Sequence, residues 1–104
     1  HATSSAASDV YKRQVLYTPP LEDGCVGGIM RMNVINLAIN NGIKVYEYSL
    51  KPQNLLIADE VFLTSSGSFI TPILKIDNKK INNGKIGNIT LKLAEMYTEA
   101  CING

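Results

Sequence analysis

The stretch Asp23-Gly24-Cys25-Val26-Gly27-Gly28-Ile29-Met30-Arg31 brings three glycines within five residues to the start of a run, Ile29 to Asn40, that reads as a helix. A helix start carries unpaired N–H groups and a partial positive charge, and both suit a phosphate. Glycines let backbone approach an anion closely and take φ > 0 where a turn needs it. The same residues also fit a tight loop ahead of a helix with no ligand. Two nucleotide motifs are excluded: Gly28 is followed by Ile29 rather than Lys-Ser/Thr, and no Gly-x-Gly-x-x-Gly occurs. A second cluster, Ser65-Ser66-Gly67-Ser68, follows an apolar run and offers N–H and O–H groups to an anion. Its plainer reading is a hairpin turn.

Other chemistries find little support. His1 is the only histidine, so neither a serine–histidine triad nor a histidine metal site is expected. Cys25 and Cys101 lie far apart and outside metal spacing; they read as reduced thiols of a cytoplasmic protein. No metal is expected. The 104 residues carry a formal net charge of +1, with lysines and arginines spread along the chain, which gives no case for nucleic acid or an anionic membrane. No apolar run approaches the roughly 20 residues of a membrane span, and no signal peptide is read. With 45% hydrophobic and 18% charged residues, the chain suits one globular unit or a piece of one.

The elements that would position these groups follow in order. Val15-Leu16-Tyr17-Thr18 reads as a strand end stopped by Pro19-Pro20, and Leu21 to Gly28 as a loop. The helix over 29–40 places Met30, Val34, Leu37 and Ala38 on one face, with Ile35 and Ile39 beside them, and predicts a largely buried helix ending at Asn41-Gly42. Ile43 to Leu50 reads as a strand and Pro52 opens a short helix through Ala58. Val61-Phe62-Leu63-Thr64 is of buried-strand type, and Phe69 to Ile76 follows as another strand. Asp77-Asn78 turns into Lys79-Lys80-Ile81. Asn88 is the expected N-cap of a last helix carrying Ile89, Leu93, Tyr97 and Cys101 at i, i+4 spacing, with Ala94 and Ala100 alongside. The fold class is mixed α/β, in the order β-α-β-α-β-β-α, over residues 15–104.

Residues 1–14 stand apart. They are small, polar and without useful periodicity, and are expected to be a disordered, non-native leader. Ser5-Ala6-Ala7-Ser8-Asp9-Val10-Tyr11-Lys12-Arg13-Gln14 also resembles translated sequencing-adaptor read-through. The expectation follows that the true N-terminal part of the protein is missing.

From Tyr17 onward the motif order resembles the C-terminal domain of the class IV pyridoxal 5'-phosphate-dependent aminotransferases. That group holds branched-chain and D-amino acid aminotransferases and aminodeoxychorismate lyases. The resemblance is carried by Tyr17-Thr18-Pro19-Pro20, Gly28-Ile29-Met30-Arg31 and Ala58-Asp59-Glu60-Val61-Phe62-Leu63-Thr64. Ile70-Thr71-Pro72, Ile76-Asp77 and Gly84-Lys85-Ile86-Gly87-Asn88-Ile89-Thr90 complete it. It implies a fold type IV domain in which Gly28, Ile29 and Met30 meet the cofactor phosphate through the helix start. Met30 stands where the family often has Thr, keeping the N–H but supplying no hydroxyl. Val26 stands where a leucine commonly packs on the cofactor ring, a smaller surface that ordinary core packing also explains. The Ser65-Ser66-Gly67-Ser68 turn matches a second phosphate and substrate loop, in which Ser66, on the cofactor and substrate side, stands where a Thr hydroxyl often meets the phosphate, and Gly67 where an N–H helps bind the substrate α-carboxylate. Arg31 reads as a structural cation, and Asp59 and Glu60 as backbone caps or partners of basic groups within the fold, neither catalytic.

The resemblance further implies transfer of an amino group between an amino acid, branched-chain or D-, and a 2-oxo acid, usually by a homodimer. In that family the Schiff-base lysine and the carboxylate on the ring nitrogen lie upstream of the Tyr-Thr-Pro-Pro segment. Neither is expected in residues 15–104, where Lys44, Lys51, Lys75, Lys79, Lys80, Lys85 and Lys92 read as surface residues. No catalytic residue is therefore assigned, and this polypeptide alone is expected to be inert. Two other readings stand beside it: a fragment of the lyase branch, for which Gly28-Ile29-Met30-Arg31 is well suited, and a non-enzymatic anion-binding module of the same fold.

Overall fold

The computed structural model describes residues 7–19, 28–65 and 69–103. Its elements are β1 (Ala7–Lys12), β2 (Val15–Thr18), α1 (Gly28–Asn40), β3 (Lys44–Glu47), α2 (Pro52–Leu56) and β4 (Glu60–Ser65). β5 (Phe69–Ile73), β6 (Lys75–Ile76), β7 (Lys79–Lys80), a 3₁₀ turn (Asn82–Gly84) and α3 (Asn88–Asn103) follow. Five strands form a mixed sheet in the order β3-β2-β1-β4-β5, and β6 and β7 make a separate ribbon.

Alternation along the strands feeds two apolar layers. On one face Leu16, Phe62 and Ile70 pack against Val34 and Ala38 of α1 and Leu93 and Tyr97 of α3. On the other, Val10, Val61 and Ile81 are covered by Tyr17, Leu50, Leu55, Ala58, Ile73 and Ile76. β5 lies at an edge of the sheet, which is why Pro72, lacking a ladder donor, is tolerated opposite Phe62. α1 ends as its Asn41-Gly42 signal requires. Gly42 sits at φ +78°, its N–H donates to Ile39 O (3.0 Å), and Ile43 N–H donates to Ala38 O (3.0 Å). This pair of bonds closes the last turn with a left-handed residue.

Several expectations are corrected. Residues 1–14 do not all lie outside the fold. From Ala7 the chain forms β1, the middle strand, paired antiparallel with β2 and β4, because two flanking strands satisfy its backbone whatever its side chains prefer; residues 1–6 lie outside the described residues. The strand expected over 69–76 is broken at Leu74, whose carbonyl accepts from Ile81 N–H (2.9 Å), so β6 leaves the main sheet. The strand expected over 43–50 is only Lys44–Glu47 and mostly exposed. The buried stripe of α1 is narrower than its sequence suggests. Val34 and Ala38 are fully buried and Leu37 partly, but Ile39 and Met32 are exposed because only one side of the helix meets the sheet. Ala100 of α3 is exposed too, whereas Ile89 and Ala94 are half-buried and Leu93 and Tyr97 buried as the spacing requires. The side chains of Met30 and Cys101 lie outside the described residues, as does Cys25.

The start of α3 departs from the expected cap. Asn88 is already helical and exposed, and Gly87 O accepts the first helical bond, from Leu91 N–H (3.0 Å). The cap is supplied across the fold by the buried carboxylate of Glu60, which accepts from the N–H groups of Ile89 and Thr90. A Cβ on Gly87 would meet Glu60 Cδ at 2.0 Å, so glycine is required for that approach.

Candidate anion site at the sheet end

β2 and β4 both run antiparallel to β1, so they run in the same direction and finish at the same end of the sheet. One strand separates them, about 10 Å at the usual inter-strand spacing. α1 joins β2 to the parallel strand β3, so it begins at that end and runs back over the sheet. Gly28, Ile29 and Met30 are its first three residues, and their N–H groups are among those a helix start leaves without an intrahelical partner. β4 finishes at Ser65, which pairs with Phe69, at the same end. The roots of both sequence-identified anion loops therefore stand together. Val26, Ser66 and Gly67 themselves lie outside the described residues.

A buried polar group underlies this end. Asp9, Thr18, Arg31 and Thr64 are each no more than 5% exposed. Arg31, in the first turn of α1, donates from Nε to Pro19 O (3.2 Å), where β2 ends, and forms an ion pair through Nη2 with Glu47 at the end of β3. One guanidinium thus ties the helix start to two strand ends. Arg31 is therefore a structural cation, and no local sequence signal marks Glu47 as its partner. Burial pushes the Asp9 carboxyl up to about 7, against the opposing pull of the Thr18 hydroxyl and the Arg31 charge.

The donor set suits a phosphate tail: helix-start amides above a buried cation. The lysines at 44, 51, 75, 79, 80, 85 and 92 are all exposed. Lys12 is half-buried at the far, hairpin end of β1, where its Nζ donates to Ile57 O (2.6 Å). An open hollow of about 360 Å³ lies on the opposite face, lined by Val10, Lys12, Tyr17, Tyr48, Leu50, Asn54 and Ile57. It is separate from the sheet-end site. No helix among the described residues is long and apolar enough to cross a membrane.

The family described as amino-transferase class IV matches residues 2–76. The chain is 41% identical over 90 residues to a protein named putative branched-chain-amino-acid aminotransferase of Methanocaldococcus jannaschii, covering 86% of this chain and 31% of that one. It is 38% identical over 90 residues to the D-alanine aminotransferase of Bacillus licheniformis, covering 85% and 32%. Among solved structures, the T.th. branched-chain amino acid aminotransferase with pyridoxamine 5'-phosphate superposes with a TM-score of 0.87 at 31% identity, over 92% of this chain and 32% of that one. The chain thus spans about a third of the length of the relatives it matches.

Proposed function

The chain belongs to the class IV amino-transferases, and from that premise we propose that it is part of the cofactor-binding domain of a pyridoxal 5'-phosphate enzyme. The whole protein would move an amino group between a branched-chain or D-amino acid and a 2-oxo acid. The observation that carries this reading is the common end reached by β2, β4 and the start of α1. In this reading the N–H groups of Gly28, Ile29 and Met30 and the Ser66 hydroxyl hold the phosphate, Val26 packs on the ring, and Gly67 N–H meets the substrate carboxylate. Arg31 fixes the angle of the helix start. When bound, the cofactor supplies the electron sink for chemistry at the substrate Cα. The residues here bind and orient it; they neither supply the anchoring lysine nor move the proton.

The whole enzyme is further proposed to be cytoplasmic and homodimeric. The exposed aromatic and apolar side chains Tyr46, Tyr48 and Ile57, grouped beside the hollow on the second face, support a covered surface there. Titration of the ¹⁵N-labelled chain with pyridoxamine 5'-phosphate tests the site. The amides of Gly28, Ile29, Met30, Ser66 and Gly67 are expected to shift together, with no amino transfer by the chain alone. Shifts confined to the opposite end of the sheet, or none, would refute the assignment.

A further inference from the structure

We infer that β1 occupies a slot shaped for another sequence, one with an apolar side chain at position 9 and a glycine-bearing turn at positions 13 and 14. Two independent misfits carry this. Asp9 pairs in register with Phe62, on the face where Leu16 and Phe62 are fully buried. It is 3% exposed, and its Oδ1 has no hydrogen-bond partner. Thr18 Oγ1 beside it likewise has none. Arg31, whose charge favours the ionised carboxyl, directs its hydrogen bonds to Pro19 O and to Glu47 instead. A carboxyl in such a place is raised, here to about 7, because burial outweighs the pull of the Thr18 hydroxyl and the Arg31 charge. An apolar side chain carries no such burial cost.

The second misfit is in the backbone. The pairing Lys12↔Val15 leaves Arg13 and Gln14 as a two-residue hairpin loop. Their φ angles are +50° and +70°. A loop with both central residues at positive φ calls for Asn-Gly or Asp-Gly, since larger side chains clash with their own backbone there. The other positive-φ positions among the described residues are Gly42, Asp77, Asn82, Asn83 and Gly84, all of types that tolerate it. Arg13 and Gln14 alone do not.

Both misfits fall inside the leader whose composition already set it apart from the chain that follows. The slot itself belongs to the fold: β1 is paired on both sides, and the family match runs across it. Residues 7–14 therefore fill this slot imperfectly. This inference does not depend on the proposed ligand.

The test compares the full chain with Asp9→Leu, Asp9→Asn and the pair Arg13→Asn/Gln14→Gly in urea unfolding at pH 7.5. Asp9→Leu and the turn pair are each expected to lower the unfolded-to-folded ratio at least tenfold, and to slow amide exchange along β1. Asp9→Asn, which keeps the shape and removes the charge, should gain at pH 7.5 and lose that gain at pH 4. Among the described residues, Arg31 of α1, Thr18 of β2 and Thr64 of β4 are the charged and polar groups buried with Asp9 at this end of the sheet, and none changes charge over that range. If the parent chain has no cooperative transition, its appearance in the variants supports the inference. Unchanged or weakened stability in both Asp9→Leu and the turn pair, or an Asp9→Asn gain that is absent at pH 7.5, overturns it.

Discussion

Glu60 Oε1 accepts two hydrogen bonds from Thr90, from its N–H at 2.7 Å and from its hydroxyl at 2.8 Å. The start of α3 is thereby fastened to the first residue of β4, thirty positions earlier. A buried carboxylate at a helix N-terminus is favoured both by the open N–H groups and by the helix dipole. Replacing Glu60 with Ala leaves the N–H groups of Ile89 and Thr90 without their acceptor. It should cost about 2 kcal/mol, read as a shift in urea midpoint with unchanged slope. Glu60→Gln keeps one acceptor and should cost less.

Gly87→Ala should also destabilise the fold, by roughly 1–3 kcal/mol, because its Cβ would fall within 2.3 Å of three atoms of the Glu60 side chain. The two sites share one contact, so their effects should not add. In the Glu60→Ala background, Gly87→Ala should be nearly silent, and a double-mutant cycle measures the coupling.

Asp9 sets a pH dependence whose sign is opposite to that of a salt-bridged carboxylate. Its folded value, about 7, lies above the ordinary 3.8, so the unfolded chain gives up its proton first. The stability that depends on Asp9 is full below pH 4, falls as pH rises from about 4 to 7, and levels off above that. The loss is on the order of 4 kcal/mol. Urea midpoints across pH 4–8 should trace this fall in the parent chain and lack it in Asp9→Asn.

Arg31 and Glu47 are unequal partners. The arginine is 5% exposed and the glutamate side chain 61%. Glu47→Gln removes a mostly solvated charge and should cost less than about 1 kcal/mol. Arg31→Ala removes buried packing and the bond to Pro19 O, and should cost about 2 kcal/mol. Arg31→Lys retains the charge without the planar fork that reaches both partners. It should recover stability better than it recovers pyridoxamine phosphate binding, measured by the amide shifts of Gly28 to Met30.

Much of this was legible in the sequence where local pattern and tertiary demand agree. The 3.6-residue spacing of Leu93 and Tyr97, the Asn41-Gly42 stop and the apolar run Val61-Phe62-Leu63 each form the element they predict. Gly28-Ile29-Met30 opens α1 one residue earlier than expected. What was hidden depended on distant groups. β1 could not be read because its side chains argue against a strand, and its pairing comes from neighbours up to fifty-seven residues away, as in Ala7↔Thr64. The cap of α3 could not be read from Asn88, because the acceptor belongs to another strand. The tie between Arg31 and Glu47 arises only once β2 and β3 lie parallel.

Among the described residues, the sole strand shared by β2 and β4 as a neighbour is β1, and this has a mechanical consequence. Nothing else in the main sheet sets the span between the two loop roots, so a ligand gripping both would act as a splint across the middle strand. Its binding should then slow deuterium uptake at Val10 and Tyr11, which it never touches, by the same linkage that makes any bound state harder to open.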